Sequence, residues 1–118
     1  MVIIWLPLAE EALSGIFRFY NERSEQAAIK LVFDIRQATK QLAKYPEIGF
    51  REPLLAYRPE TFRSLIVRKT YKVVYYIEKG TVYIADVWNT RQDPENLRNR
   101  IYIDTREYKF NREEANER

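Results

Sequence analysis

The stretch YKVVYYIEKGTVYIADVWN, Tyr71 to Asn89, constrains what this chain can fold into more than any other. Two runs rich in Val, Ile and Tyr meet at Lys79-Gly80, where a tight turn is required. Strands over Tyr71–Glu78 and Thr81–Asn89 therefore pair antiparallel. A third candidate, Phe62–Val67, precedes them by a short link, so the three read as an antiparallel meander. The hairpin also carries cations at one end: Lys72 begins it and Thr90-Arg91 ends it. They are either a solvated rim or a place for a phosphate or an acidic partner.

Upstream, Val2 to Trp5 is a short apolar run and reads as a first strand. Pro7 stops it and suits a first helical turn. Ala9, Ala12, Leu13, Ile16, Phe17 and Tyr20 then fall at helical spacing on one face. After Asn21-Glu22-Arg23, Ser24 is placed to cap a second helix carrying Ala28, Leu31, Val32, Ile35, Ala38 and Leu42. That helix ends near Lys44, because Pro46 disfavours helix at Tyr45. So short a link predicts an antiparallel helical hairpin. Pro46 to Glu60 holds three prolines and reads as a loop connecting the hairpin to the meander. Asp93-Pro94-Glu95 opens a further helix, with Leu97, Ile101 and Tyr102 toward one side. From Asp104 to Arg118 the chain is almost all polar, either a solvated helix extension or disordered. The fold class expected is α+β: an antiparallel sheet of the N-terminal strand and the meander, packed on the helical hairpin, with a C-terminal helix. Residues 1–103 form the one domain and 104–118 its charged tail.

The chain contains no cysteine and no histidine. Disulfides, thiol chemistry and histidine bases are therefore excluded. Any catalysis must use Asp, Glu, Lys, Arg, Tyr, Ser or Thr. No apolar run approaches the roughly 20 residues that span a bilayer, and VIIWLPLA lacks a basic leader, so no membrane partner and a cytoplasmic location are expected. Net charge is +3 and uneven: residues 61–92 hold Arg63, Arg68, Lys69, Lys72, Lys79 and Arg91 against Glu78 and Asp86. A basic sheet of this kind favours an anionic partner.

Arg63, Arg68 and Lys69 read either as a phosphate-gripping edge or as charges that keep an exposed strand edge from aggregating. Arg91 either grips an anion or pairs with Asp93 beside the helix start. Trp5, Tyr75 and Tyr83 invite a base-stacking reading, but they sit on patterned elements, so core packing is expected of them. Tyr76 and Trp88 form a docking face for a protein partner if both lie opposite the helices. Asp86 interrupts the apolar run Val82–Trp88 and is placed to accept from Arg63 or Lys72 on a neighbouring strand.

Three segments in order, IIWLPLAEEAL, LAKYPEIG and RSLIVRKTYKVVYYIEKGTVYIADVWNTRQDP, resemble the RelE/ParE family of toxins from bacterial toxin–antitoxin pairs, over roughly residues 2 to 100. The ParE-like, plasmid-stabilisation branch is the nearer one, by its P-x-x-G loop and R-x-D-P ending. The resemblance implies a small toxin neutralised by a cognate antitoxin. One branch of the family cuts mRNA in the ribosomal A site without histidine; the other inhibits DNA gyrase and is not a nuclease. Lys72 falls where the nuclease branch has an Arg in its Y-R-x-V-Y strand, and Arg91 where it has the Arg that ends the last strand. These two would be the catalytic residues if the chain is a nuclease. The nuclease Tyr expected soon after Arg91 is replaced by Glu95-Asn96-Leu97, and the next is Tyr102. The leading expectation is a toxin that binds a target such as DNA gyrase, with Arg63, Arg68, Lys69, Lys72 and Arg91 contacting target or phosphate and Tyr76 and Trp88 contacting the antitoxin. The alternatives are a metal-independent, ribosome-dependent endoribonuclease and a non-toxic member that only binds a partner. No metal or organic cofactor is implied.

Overall fold

The computed structural model describes residues 1–91. The helix start at Asp93-Pro94-Glu95, the Arg91–Asp93 pair, Tyr102 and the tail from Asp104 lie outside the described residues. Within them the elements run β1 (Val2–Trp5), α1 (Pro7–Asn21), α2 (Glu25–Lys40), β2 (Phe50–Arg51), β3 (Arg63–Val67), β4 (Tyr71–Glu78) and β5 (Thr81–Asn89). The α+β expectation holds.

Pro7 occupies the first turn of α1, where its missing N–H costs no hydrogen bond. At α2 the Ser24 hydroxyl oxygen accepts from the Ala27 amide at 3.2 Å, the cap read from sequence. Ser24→Ala should lower unfolding free energy by about 1 kcal/mol in urea titrations. The α helices close one face of the sheet. Ala9 and Leu13 of α1 and Leu31 and Ile35 of α2 are buried against Val67, Tyr71, Val73, Tyr75, Val82, Ile84 and Val87. Arg36 ties three elements together: its guanidinium lies 4.4 Å over the Trp5 ring of β1 and donates twice to Glu10 of α1, each at 3.1 Å.

The sheet order is β1-β5-β4-β3-β2, and it is mixed rather than antiparallel throughout. The meander pairs antiparallel as expected, but β1 lies parallel to β5, with Val2 opposite Thr81 and Trp5 opposite Ile84. The reason is one of parity. Seven elements in simple up-and-down succession bring the first and the last to the same direction. The element that changes the count is β2, two residues inside the segment read as a loop.

That segment does more than connect. Both faces of the sheet are buried. Leu6, Leu55, Phe62, Val74, Tyr76, Tyr83, Ala85 and Trp88 form a second core on the side away from the helices. Leu55, with Leu54 packed against the cluster, comes from the presumed connector, and Phe62, expected to open the strand, precedes β3 and joins it, so the segment 52–62 covers that core. Its own pair, Arg58 and Glu60 at 2.6 Å, is largely buried, with the guanidinium 5.5 Å over Phe62. A sheet covered on both sides explains why β4 and β5 read as near-continuous apolar runs.

Candidate functional site

The β3–β4 turn gathers four of the cations singled out from sequence at one end of the sheet. Arg68 and Lys69 are the turn itself, Lys72 is the second residue of β4, and Arg91 follows β5. The Thr90 amide donates to the Thr70 carbonyl at 2.8 Å and locks the end of β5 to that turn. Arg63 is not part of this group. It begins β3 at the opposite end and donates to the Gly49 and Glu47 carbonyls at 2.8 and 3.3 Å.

The cations differ sharply in availability. Lys72 faces the second core, opposite Ile66 on one side and Trp88 on the other. Its ammonium donates at 2.6 Å to Glu52 Oε1, with 15% of the Lys72 side chain and 0% of the Glu52 side chain exposed. The same oxygen accepts from the Ser64 hydroxyl at 2.7 Å, and Oε2 accepts from the Leu54 amide at 3.1 Å. Burial alone would raise the Glu52 pKa. The hydrogen bonds from Lys72, Ser64 and Leu54, with the Lys72 charge, outweigh it and hold the carboxyl below its usual range. Lys72 thus holds the 52–62 cover onto the central strand. Arg68 is taken up as well: its Nε and Nη2 both donate to Asp34 Oδ2 of α2, at 2.9 and 2.5 Å. Lys69 and Arg91 are exposed.

Glu52 and Asp34 were not legible as site residues. One lies in an aperiodic loop and the other on the charged side of a helix. The signal that pointed toward Glu52 was Lys72 itself, a cation on a strand otherwise built for burial, which requires a carboxylate. Asp86, expected to supply it, instead accepts from the next amide, Val87, at 2.8 Å. Val74 faces Asp86 while Tyr75 faces Ile84, so Ala85 is the extra residue of a β-bulge.

Tyr76 and Trp88 lie on the face opposite the helices, yet only 1% and 2% of them is exposed. Tyr76 stacks on Tyr83 at 5.1 Å and meets Phe62 edge-on at 5.2 Å. Both rings are core residues in this structure, covered rather than presented. Tyr71 Oη donates to Tyr20 Oη at 3.2 Å, and burial, then the Tyr20 contact, pushes its pKa upward.

The match that decides the family spans residues 3–94, to the family described as the ParE toxin of the type II toxin–antitoxin system parDE. The chain belongs to this family. As a ParE-family toxin it is also similar to Toxin RelE2 of Caulobacter vibrioides, 28% identical over 85 residues, which cover 72% of this chain and 90% of that one. Among solved structures it resembles a chain of the chromosomal ParDE toxin–antitoxin system from P. aeruginosa. That likeness has a TM-score of 0.64 and 21% identity, over 75% of this chain and 95% of the other, and it supports the fold. A type II toxin implies a cognate antitoxin as partner. No helix among the described residues is long and apolar enough to cross a membrane.

Proposed function

We propose that this ParE-family toxin arrests growth by binding a macromolecular target, DNA gyrase in the first instance, rather than by cutting RNA. The observation that carries the reading is the Lys72–Glu52 pair. A strand cation that already has a buried carboxylate, a hydroxyl neighbour and a structural task is a poor grip for a scissile phosphate. Among the described residues, exposed Lys69 and Arg91 supply charge for docking at that end.

Purified chain should inhibit gyrase supercoiling and leave mRNA intact in a reconstituted translation reaction mapped by primer extension. Ribosome-dependent cleavage that disappears in Arg91→Ala, with the fold retained, would overturn the reading in favour of the endoribonuclease.

A further inference from the structure

The buried side of α2 is Ala28, Leu31, Ile35 and Thr39. At helical spacing, Gln26, Ile29, Phe33, Gln37 and Lys40 fall on a second stripe, turned away from the first. Ile29 and Phe33 are one turn apart on it, and they are 53% and 58% exposed. Gln26, Gln37 and Lys40 are exposed as well. Among the described residues, Ile29 and Phe33 take no part in either core. Two large apolar side chains side by side on one stripe form a patch, unlike the scattered apolar residues of any protein surface.

The patch borders a groove of about 370 Å³ between the two helices, lined by Leu13, Ser14, Phe17, Arg18, Val32 and Arg36. Val32 and Arg36 follow Ile29 and Phe33 by three residues each, so the groove lies along one flank of the stripe. Arg36 is held by Glu10 and by the Trp5 ring, which keeps its charge off the patch.

Charge decides what can cover this surface. The first turn of α2 carries Glu25 and the last turn carries Lys40. A uniformly acidic or uniformly basic partner would meet like charge at one end. A second copy of α2, laid antiparallel, meets opposite charge at both. With a two-fold axis near residue 31, Ile29 of each copy faces Phe33 of the other, and Glu25 comes within about one turn of Lys40. The two helix dipoles then run in opposite directions, and each Phe33 ring has the other copy's groove beside it.

We propose that α2 is a self-association surface through which two copies of this chain pair about a two-fold axis, with Ile29 and Phe33 at the centre and Glu25 and Lys40 at the ends. The pairing does not rest on the toxin reading above. One 16-residue helix against another is an interface at the small end of specific ones, so the dimer is reversible, with a Kd on the order of 10 µM.

The test is sedimentation velocity on the full chain from about 1 to 300 µM, concentrations that bracket this Kd. Wild type should pass from monomer toward dimer. Phe33→Glu should raise the Kd about a hundredfold, while its Tm stays within about 3 °C because the side chain is exposed. Glu25→Lys and Lys40→Glu should each weaken pairing about tenfold at low salt, since each puts like charges together at both ends. Mixed in equal amounts, these two variants should pair at near wild-type strength, because every end contact again joins opposite charges. A wild type that stays monomeric, pairing untouched by Phe33→Glu, or single charge variants that mixing fails to rescue would each overturn the proposal. If the wild type is monomeric and Phe33→Glu abolishes growth arrest, the stripe serves a different protein and self-association is refuted.

Discussion

Glu52→Ala should destabilise the domain by about 3 kcal/mol in urea unfolding, the largest effect expected of a single charged residue here. Removing the carboxylate leaves the Lys72 ammonium 15% exposed beside Trp88 with no counter-charge, and it strips the Ser64 hydroxyl and Leu54 amide of their acceptor. Lys72→Met should cost less, because Glu52 can take up a proton. The double variant Glu52→Leu with Lys72→Met should recover roughly half of the loss, since apolar replacement removes both charges together but not the unmet needs of Ser64 and Leu54. If the two single losses simply added, the pair would not be coupled and its structural role would be refuted. The pH dependence has a definite sign. The Glu52 pKa is lower folded than its ordinary 4.5 unfolded. Its contribution is therefore fully present above that unfolded value and is lost as pH falls through the folded one. The gap between wild type and Glu52→Ala should stay constant near neutrality and close in acid.

Gly49→Ala should cost about 2–3 kcal/mol, an unusual penalty for adding one methyl group. A Cβ there would sit 2.6 Å from Tyr75 Oη and 2.7 Å from the Ser64 carbonyl oxygen. Neither neighbour is free to retreat. The Tyr75 hydroxyl accepts from the Gly49 amide at 3.0 Å and donates to the Pro46 carbonyl at 2.8 Å, while Ser64 lies in β3, paired with Phe50. Burial raises the Tyr75 pKa, against opposing pulls from the Gly49 hydrogen bond and Arg63, so the hydroxyl stays protonated and able to donate. Tyr75→Phe alone should cost about 1 kcal/mol for the lost hydrogen bonds. Combined with Gly49→Ala it should give little relief, because the Ser64 carbonyl remains. Full rescue by Tyr75→Phe would show that the hydroxyl, not the backbone approach, excludes a side chain. The glycine of the Pro46-Glu47-Ile48-Gly49 motif thus has a packing reason: it lets the chain cross close over β3 and β4 on its way into β2.

Both sites lie between Pro46 and Glu60, a segment whose composition by itself suggests only a connector. Local patterns were enough for both helices, for the Ser24 cap, for β4 and β5, and for the Lys79-Gly80 turn, because each is decided by residues within a few positions of one another. The segment from Pro46 to Glu60 has no period and is rich in proline, and nothing local distinguishes a spacer from a lid. Its role is set by what it covers: an apolar sheet face that the two helices cannot reach. The two-residue β2 is invisible for the same reason, since it exists only by pairing with β3. Yet it flips the direction of β1 relative to β5, and so turns an antiparallel sheet into a mixed one.

The cations divide along the same line. Their presence on the meander, and the excess of positive charge there, were written in the sequence, as were the α+β class and the toxin-family pattern. Which of them are held by a carboxylate among the described residues was decided by tertiary structure alone. Lys72 lies 20 positions from Glu52 and Arg68 lies 34 from Asp34. Such pairs form only when β3 and β4 are laid against the cover on one face and α2 on the other. A charge is neutralised by whatever carboxylate the fold brings within a few ångströms, and separation along the chain carries no information about that distance.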